Sequence, residues 1–491
     1  MQEIFEYRFT KLDPIGGDHI DPPSVAVYET LLRKGANEQP EPGLASSWSV
    51  SQDGLRWRLN LREGARFHSG DPCDAPAVVA ALERCRWGDG LSRQLWYWDP
   101  VDRVSAVGEG TVEVTLHYPY SRLPTLLWGT HTAICNVARR AALGDEYGLE
   151  MADGTGPYAL SSYAPDLVIA HRATTAGAAP VSSTSAPQEI RWVSVPDEAG
   201  REAALGRDDI AVVRTVERGW LPPAGGWRYL EQPEISQFYL ALSFDSSLGF
   251  ADLQLRRAIE AFIDRERLVS TALGGHGDGR RSPVPGGHPH AAAFDAGGAP
   301  RMSRAEAIQV LDALGWARSG EATRTRNGTE LAFECLTQDT EVFRRIAGEV
   351  TLQLAEAGAA VRFRFEQPFE PFYRACEAHP EAILSKWLWP DAIEAVMGFS
   401  QSSCAADSGG NWQGAQLPDV DAAFEEFLRA GPEDELQAAS HKVQEVFMSE
   451  LPYIPLCAPM ETYAVASGIE GFAPLEGTLY PYYDSIASPR G

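Results

Sequence analysis

Three tryptophans and one aspartate in the last third of the chain have side chains suited to holding a small ligand. Trp387 and Trp389 lie just before Asp391, and Trp412 follows further along. An indole can stack on an aromatic, sugar-like or cationic ligand, and a carboxylate makes a strong charge-assisted contact with an ammonium group. We therefore predict that these four residues contact a ligand. The alternative for two of the three tryptophans is a place in the hydrophobic core.

Arg374 is a further candidate because it follows the aromatic pair Phe372-Tyr373. A guanidinium beside aromatic rings can pair with an anionic ligand. The alternative is a solvated surface arginine. We predict ligand contact for Arg374.

The chain shows no catalytic signature, and its histidines give a weak metal signal. His276, His288 and His290 lie in a Gly/Pro-rich stretch, where a His-x-His pair can bind a metal ion. Histidines in such loops commonly have no ligand role, so we predict no metal site and no cofactor. GxSxG, HExxH, P-loop and GxGxxG patterns are all missing from the sequence. Binding is therefore favoured over catalysis.

Length and charge limit the class of protein. The chain has 491 residues, which is enough for two or three domains. Its 42 basic and 68 acidic residues give a net charge of −26. Phosphate contacts supply most of the affinity of nucleic-acid binders, so we predict no nucleic-acid partner.

Hydrophobic segments and cysteines bear on the compartment. No apolar run reaches the roughly eighteen residues that indicate a membrane-spanning helix. The first residues, MQEIFEYRFTKLDP, lack the basic and apolar regions of a signal peptide. Seven dispersed cysteines without CxxC spacing predict free, buried thiols rather than a disulfide framework.

The most regular pattern lies between Pro42 and Arg84. Residues 56–61 alternate polar and apolar, which predicts a half-buried strand, and the preceding Asp53-Gly54 predicts a hairpin turn. After Asp74 the apolar residues recur at helical spacing, which predicts an amphipathic helix capped near that aspartate.

Other elements are predicted by similar patterns. Ser303 and the glutamate three residues later form a capping box before a helix. A buried strand is predicted over Phe238–Phe244 and a helix from Asp252 through Val269.

Residues Asp53 to Pro72, DGLRWRLNLREGARFHSGDP, resemble the signature of the family 5 extracytoplasmic solute-binding proteins. These proteins are the peptide-, nickel- and opine-binding components of ABC importers. The positions that match the family pattern are Arg62, Gly64, Phe67, His68, Gly70 and Pro72. Weaker matches, such as the LDP at Leu12–Pro14 and the GTGPY at Gly154–Tyr158, extend the resemblance over nearly the whole chain. Val25–Leu32 resembles the first helix of the family, so the resemblance predicts a helix there.

The resemblance implies an α/β protein with the two-lobed periplasmic-binding-protein fold, type II-like and of cluster C, and an extra third domain packed on lobe one. The implied boundaries are 1–44, 155–236 and 460–491 for lobe one, 45–154 for the peripheral domain, and 237–459 for lobe two.

The resemblance also places the candidate site residues. In the family a W-x-x-D segment lines the ligand cleft, and Trp387 matches its tryptophan. Peptide binders carry an aspartate for the ligand α-amino group where this chain has Pro390, while Asp391 matches a later aspartate. This departure argues against recognition of free peptide N-termini. Tyr28 on the first helix and Tyr239 at the crossing into lobe two are further predicted contacts.

The predicted function is therefore that of a solute-binding protein. It would capture a peptide-like or other small polar organic ligand between two closing lobes for ABC-type import, as a monomer with an ABC permease as its partner. The alternative is a signal-less cytoplasmic derivative that acts as an enzyme in a biosynthetic pathway, or as a ligand sensor. The location is extracytoplasmic if a signal sequence was removed, and cytoplasmic if Met1 is the natural start.

Overall fold

Strands and helices alternate along the protein, and the chain folds into two compact units. The computed structural model describes residues 1–15, 22–35, 39–87, 95–181, 185–215, 224–292, 301–367, 369–389, 391–405, 409–474 and 482–487. Unit one comprises Met1–Thr215, Leu221–Gln232 and Thr462–Gly491, and unit two comprises Val216–Trp220 and Pro233–Glu461. The predicted division into three domains stays a prediction.

The first part of the chain is rich in strands. Its strands are β1 (Gln2–Phe5), β2 (Leu32–Lys34), β3 (Pro40–Pro42), β4 (Ala45–Val50), β5 (Arg56–Leu61), β6 (Val101–Ala106), β7 (Thr111–Leu116), β8 (Tyr158–Ala164), β9 (Leu167–Arg172), β10 (Glu189–Ser194), β11 (Val212–Thr215) and β12 (Trp227–Pro233). Its helices are α1 (Pro22–Val27), α2 (Ala75–Trp87), α3 (Leu123–Trp128), α4 (Val137–Leu143) and α5 (Glu198–Ala204).

The second part carries the longer helices. Its strands are β13 (Ser236–Leu242), β14 (Gly277–Asp278), β15 (Thr325–Arg326), β16 (Thr329–Glu330), β17 (Ala332–Gln338), β18 (Ala360–Glu366), β19 (Ala382–Leu388) and β20 (Ile454–Ala466). Its helices are α6 (Leu253–Glu260), α7 (Arg265–Ala272), α8 (Arg304–Ala313), α9 (Glu341–Ala357), α10 (Phe369–Glu377), α11 (Ala392–Ser400), α12 (Pro418–Arg429) and α13 (Glu433–Glu450).

Unit one contains a mixed sheet and a smaller antiparallel sheet. In the mixed sheet β1 lies between β10 and β11 and runs parallel to both, while β9 and β8 continue it in antiparallel fashion. The smaller sheet has the order β4-β5-β7-β6. The predicted hairpin is confirmed as β4 and β5, with Trp57, Leu59 and Leu61 buried on one face. The predicted amphipathic helix is confirmed as α2, where Asp74 accepts a hydrogen bond from the Ala77 N–H at 3.0 Å.

Unit two is organised on a sheet with the order β18-β17-β19-β13-β20. Strand β17 runs parallel to β18 and β19, whereas β13 is antiparallel to β19 and β20. The carboxyl ends of the three parallel strands therefore share one edge of the sheet with the amino end of β13.

Two predicted helices are wrong in their bounds. The helix predicted over Val25–Leu32 is α1, which ends at Val27, because the carbonyl of Val27 accepts the N–H of Gly156 at 2.9 Å. A helix through Leu32 would need that carbonyl for the N–H of Leu31.

The helix predicted from Asp252 through Val269 is two helices, α6 and α7. Asp264 begins the second one, because its carboxylate accepts from the Arg267 N–H at 3.0 Å and its own N–H donates to Gln353 Oε1 at 2.8 Å. A side-chain cap of this kind starts a new helix. The capping box at Ser303 is confirmed at the start of α8.

All seven cysteines are free and buried, as predicted. Among the described residues, no helix combines the length and the apolar character that crossing a membrane requires.

Candidate functional site

The edge of unit two where β17, β18 and β19 end is the strongest candidate for ligand contact. These parallel strands end at Gln338, Glu366 and Leu388. Ligands of open α/β sheets bind outside the carboxyl ends of the strands. Two of the predicted site residues, Trp389 and Asp391, follow the end of β19 directly.

Asp391 is buried at this edge and serves as the N-cap of α11. Its Oδ1 accepts a hydrogen bond from the Glu394 N–H at 2.9 Å, and its Oδ2 lies 3.5 Å from Nε2 of His288. Its exposed fraction is 1%. The helix N-terminus favours a negative side chain at this position. The structure therefore gives Asp391 a structural role, and its contact with a ligand stays a prediction.

His288 holds a fixed orientation toward that carboxylate. Its Nδ1 accepts the His290 N–H at 3.1 Å, so in the neutral ring Nε2 carries the hydrogen and faces Asp391. The loop is anchored by Gln444, whose side chain bonds the carbonyl of His290 and the N–H of Ala292. The sequence alone indicated no role for these histidines, because a pairing across such a distance along the chain leaves no local signal.

Trp389 follows β19, and an ion pair between Lys386 and Glu234 lies near the same end of that strand. The exposed fraction of Trp389 is 6%, and its backbone N–H donates to the carbonyl of Ile235 at 3.4 Å. On the neighbouring strand ends, Lys386 Nζ lies 3.0 Å from Oε2 of Glu234, which is also buried. The edge thus offers an indole and side chains of both charges to a polar ligand.

Trp387 and Tyr239 occupy the core of unit two beside this edge. They lie on the same face of β19 and β13, where Tyr239 pairs with Ser385 and Trp387 with Gln237. Both are fully buried, and the ring centroid of Tyr239 lies 4.7 Å from that of Tyr453. Burial raises the pKa of the Tyr239 hydroxyl well above its ordinary value. Their contact with a ligand stays a prediction.

Trp412 lies at the other end of α11 from Asp391. Its ring packs 5.9 Å from that of Phe399 in the last turn of the helix and 5.6 Å from that of Tyr373. Nine helical residues span about 13 Å, so the structure does not bring Trp412 together with Trp389 and Asp391. The Nε1 of Trp412 is buried without a hydrogen-bond partner in the part of the chain that is described.

Arg374 is exposed on α10, one residue after Tyr373. Pro390, on which the inference about peptide N-termini rests, lies outside the described residues. The predictions for both residues stand as made from the sequence.

Tyr28 belongs to the core of unit one. Its hydroxyl donates to the carbonyl of Leu12 at 2.6 Å and lies 3.3 Å from the hydroxyl of Tyr147. Burial raises the pKa of Tyr28 well above its ordinary value. The hydroxyl thus already donates a hydrogen bond within the core of unit one, and a ligand contact by Tyr28 stays a prediction.

Unit one has a comparable edge at the carboxyl ends of β1 and β11. Glu6 follows β1, and its Oε2 accepts a hydrogen bond from the hydroxyl of Thr215 at 3.2 Å. Both residues are buried. Glu6 was not singled out from the sequence, although an acidic residue directly after the first strand was a signal that could have been used.

The described residues contain no group of three or more His, Cys, Asp or Glu side chains that could hold a metal ion. His276 lies on the loop before β14, and its carbonyl accepts the Met460 N–H at 3.4 Å. His68, from the family signature, bonds the backbone of the GTGPY stretch through Nε2 and the carbonyl of Gly156 at 2.8 Å. This histidine therefore holds two segments of unit one together.

Comparisons with known proteins bear on these observations. Residues 39–408 match the family described as bacterial extracellular solute-binding proteins, family 5 Middle. The glutathione-binding protein GsiB of Salmonella paratyphi A is 23% identical over 499 residues, which cover 97% of this chain and 92% of that protein.

Solved structures resemble the chain over its whole length. The oligopeptide-binding protein AppA of Bacillus subtilis, in complex with a nonapeptide, matches with a TM-score of 0.85 and 17% identity, covering 100% of this chain and 99% of that one. The protein AgaA of A. tumefacien R10, in complex with agropinic acid, matches with a TM-score of 0.82 and 17% identity, covering 100% and 99%. These likenesses confirm the predicted α/β periplasmic-binding-protein fold. The chain belongs to family 5 of the bacterial extracellular solute-binding proteins.

Proposed function

We propose that this protein binds a peptide-like or other small polar organic solute and delivers it to an ABC permease. The observation that carries the proposal is the pairing of Trp389 with buried Asp391 directly after β19, at the edge where α/β sheets receive ligands. Membership of a family of extracellular solute-binding proteins supports a site of action outside the cytoplasmic membrane.

The proposed ligand carries both a cationic and a flat or apolar part. Asp391 supplies a carboxylate that can accept a charge-assisted bond from an ammonium or guanidinium group. Trp389 supplies a ring on which the apolar part or the cation can stack. Nε2 of His288 lies 3.5 Å from Oδ2 of the same carboxylate.

The ligands named for similar proteins are compatible with a polar organic solute. Glutathione, an oligopeptide and agropinic acid are polar organic molecules of small or moderate size. They support a peptide-like or opine-like solute for this chain and leave the choice among such solutes to experiment.

The first test is native mass spectrometry of the purified protein with a panel of glutathione, dipeptides, tetrapeptides, an opine and a nickel–histidine complex. We expect one solute to add its mass to the protein and to be released unchanged on denaturation. A panel without any bound solute, or a solute that is converted to a new product, would contradict the proposal.

The second test locates the site with Trp389→Phe, and Trp316→Phe serves as its control. Trp316 is also a buried tryptophan of unit two, and Arg326 lies over its ring. Replacing Trp389 should weaken solute binding about tenfold, since stacking and cation–π contacts are worth roughly 0.5–2 kcal/mol. The control should leave binding unchanged. Equal affinities for the two variants would show that the solute binds elsewhere, even if the solute-binding function holds.

A further inference from the structure

A buried carboxylate in unit one lies against the last described segment of the chain. Glu3 on β1 is fully buried, and its Oε2 accepts a hydrogen bond from the hydroxyl of Tyr483 at 2.8 Å. That hydroxyl in turn accepts the Nε1–H of Trp192 at 3.1 Å, and the two rings meet edge to face at 5.4 Å. The other oxygen of Glu3, Oε1, is buried without a hydrogen-bond partner among the described residues.

The polar groups around Glu3 and Tyr483 come from β10, β11, β20 and the final segment. Trp192 lies on β10, Arg214 on β11, Tyr463 on β20 and Tyr483 in the final segment. The guanidinium of Arg214 is buried, and its Nε donates to the Tyr463 hydroxyl at 3.1 Å. Arg214 thus acts on Glu3 as a nearby positive charge while its Nε bonds another residue.

Burial dominates the titration of this carboxyl. It raises the pKa of Glu3 from 4.5 to about 7, although the hydrogen bond from Tyr483, the charge of Arg214 and the contact with Trp192 oppose the shift. The cause is the removal of a carboxylate from water with one oxygen left unbonded.

The segment Tyr482–Ala487 is held by other contacts that do not depend on this proton. Asp484 receives both terminal nitrogens of Arg33, at 2.8 and 3.0 Å. The Tyr482 hydroxyl accepts the Lys34 N–H at 2.8 Å, and Ala487 exchanges backbone bonds with Glu470 at 2.9 and 3.0 Å. Glu3 is therefore one contact of an anchor that a salt bridge and backbone hydrogen bonds also hold.

We propose that Glu3, buried against Tyr483, is a protonation-controlled latch for the segment Tyr482–Ala487. The segment stays on unit one when Glu3 is protonated, and ionisation of Glu3 favours its opening, because the carboxylate gains more from hydration than from the single hydrogen bond of Tyr483. The inference does not depend on which solute the protein binds.

The direction follows from linkage between protonation and opening. Below pH 4.5 the carboxyl is protonated whether the latch is closed or open, so pH has no effect. Between pH 4.5 and about 7 the closed state binds the proton more tightly, and the latch weakens as the pH rises. Above about pH 7 the carboxyl is ionised in both states, and the change is complete. If opening fully hydrates the carboxyl, the opening equilibrium shifts by up to 10^2.5, which is about 300-fold.

Hydrogen exchange of the whole protein tests the latch. Mass spectrometry follows the exchange at about pH 5 and about pH 8.5, and the rates are corrected for the intrinsic effect of pH on exchange. In the wild type, protection of the peptide that contains Tyr482–Ala487 should fall by about 10- to 75-fold at the higher pH, since the opening equilibrium has already shifted about fourfold at pH 5. Helix α13 serves as the internal reference. Glu3→Gln should remove this pH dependence. Glu189→Gln, a change on the neighbouring strand β10 at a half-buried carboxylate, should retain it.

Tyr483→Phe gives a second, independent readout. The Tyr483 hydroxyl lowers the pKa of Glu3, so its removal should move the midpoint of the transition to higher pH. This variant keeps the aromatic ring. Its exchange profile against pH still tests the proposal if Glu3→Gln does not fold. Wild-type protection that stays constant between the two pH values would overturn the proposal, as would an unchanged or lower midpoint in Tyr483→Phe.

Discussion

At the scale of single residues, the candidate site depends on contacts between residues that are far apart in the chain. Trp389 and Asp391 follow the same strand, and the sequence predicts both as ligand contacts. The partner of Asp391, His288, was missed, because it comes from a distant loop and only the folded chain brings the two within 3.5 Å. Trp412 looked equivalent in the sequence, yet it packs at the other end of α11.

A residue-scale prediction concerns Tyr28. Tyr28→Phe should lower the free energy of unfolding by about 1–3 kcal/mol, because the buried carbonyl of Leu12 loses its hydrogen bond. Tyr118→Phe is the matched control, since the hydroxyl of Tyr118 makes an exposed bond to Asp99 at 3.3 Å. The control should change stability by less than about 0.5 kcal/mol. Urea denaturation measures both, and equal effects would show that the buried bond is worth no more than the exposed one.

At the scale of helices and strands, the sequence was informative where local chemistry decides the structure. The alternation in β5, the apolar stripe of α2 and the capping box at Ser303 each predicted the observed element. The end of α1 could not be predicted, because a hydrogen bond from the distant Gly156 N–H occupies the carbonyl of Val27. Local patterns thus determine the type of an element, whereas contacts between distant segments decide where it stops.

Helix α9 offers a prediction with a built-in control. Gly358 ends the helix with a φ of +79°, and a Cβ there would lie 2.8 Å from Cγ of Arg324. Gly358→Ala should therefore destabilise the protein by about 1–2 kcal/mol. Gly348 is exposed within the same helix, and a Cβ added there would have no heavy atom within 4 Å. Gly348→Ala should stabilise by about 0.5–1 kcal/mol. Chemical denaturation of both variants gives the two signs, and a loss of stability in both would contradict this account of the helix end.

At the scale of the whole molecule, a signature of twenty residues, Asp53 to Pro72, was enough to predict the family, and with it the fold of both units. The matching residues, such as Gly70 and His68, build backbone turns and contacts within unit one rather than a ligand surface. The identity of the solute could not be predicted, because it depends on a few side chains that vary without changing the fold. The three-domain division, the partner permease and the oligomeric state are proposals that the same resemblance motivates.

The central claim is that a solute binds at the edge formed by Trp389 and Asp391, and calorimetric titration of Asp391→Asn tests it most directly. Asparagine caps a helix as well as aspartate does, so this change removes the charge and keeps the cap. Asp252→Asn is the matched control, because Asp252 caps α6 in the same unit from an exposed position, accepting the Gln254 N–H at 2.8 Å.

With the solute identified by native mass spectrometry, we predict that Asp391→Asn raises Kd by about 10- to 100-fold, the loss expected for one charge-assisted bond. Asp252→Asn should bind as the wild type does. An Asp391→Asn protein that binds with wild-type affinity would contradict the account.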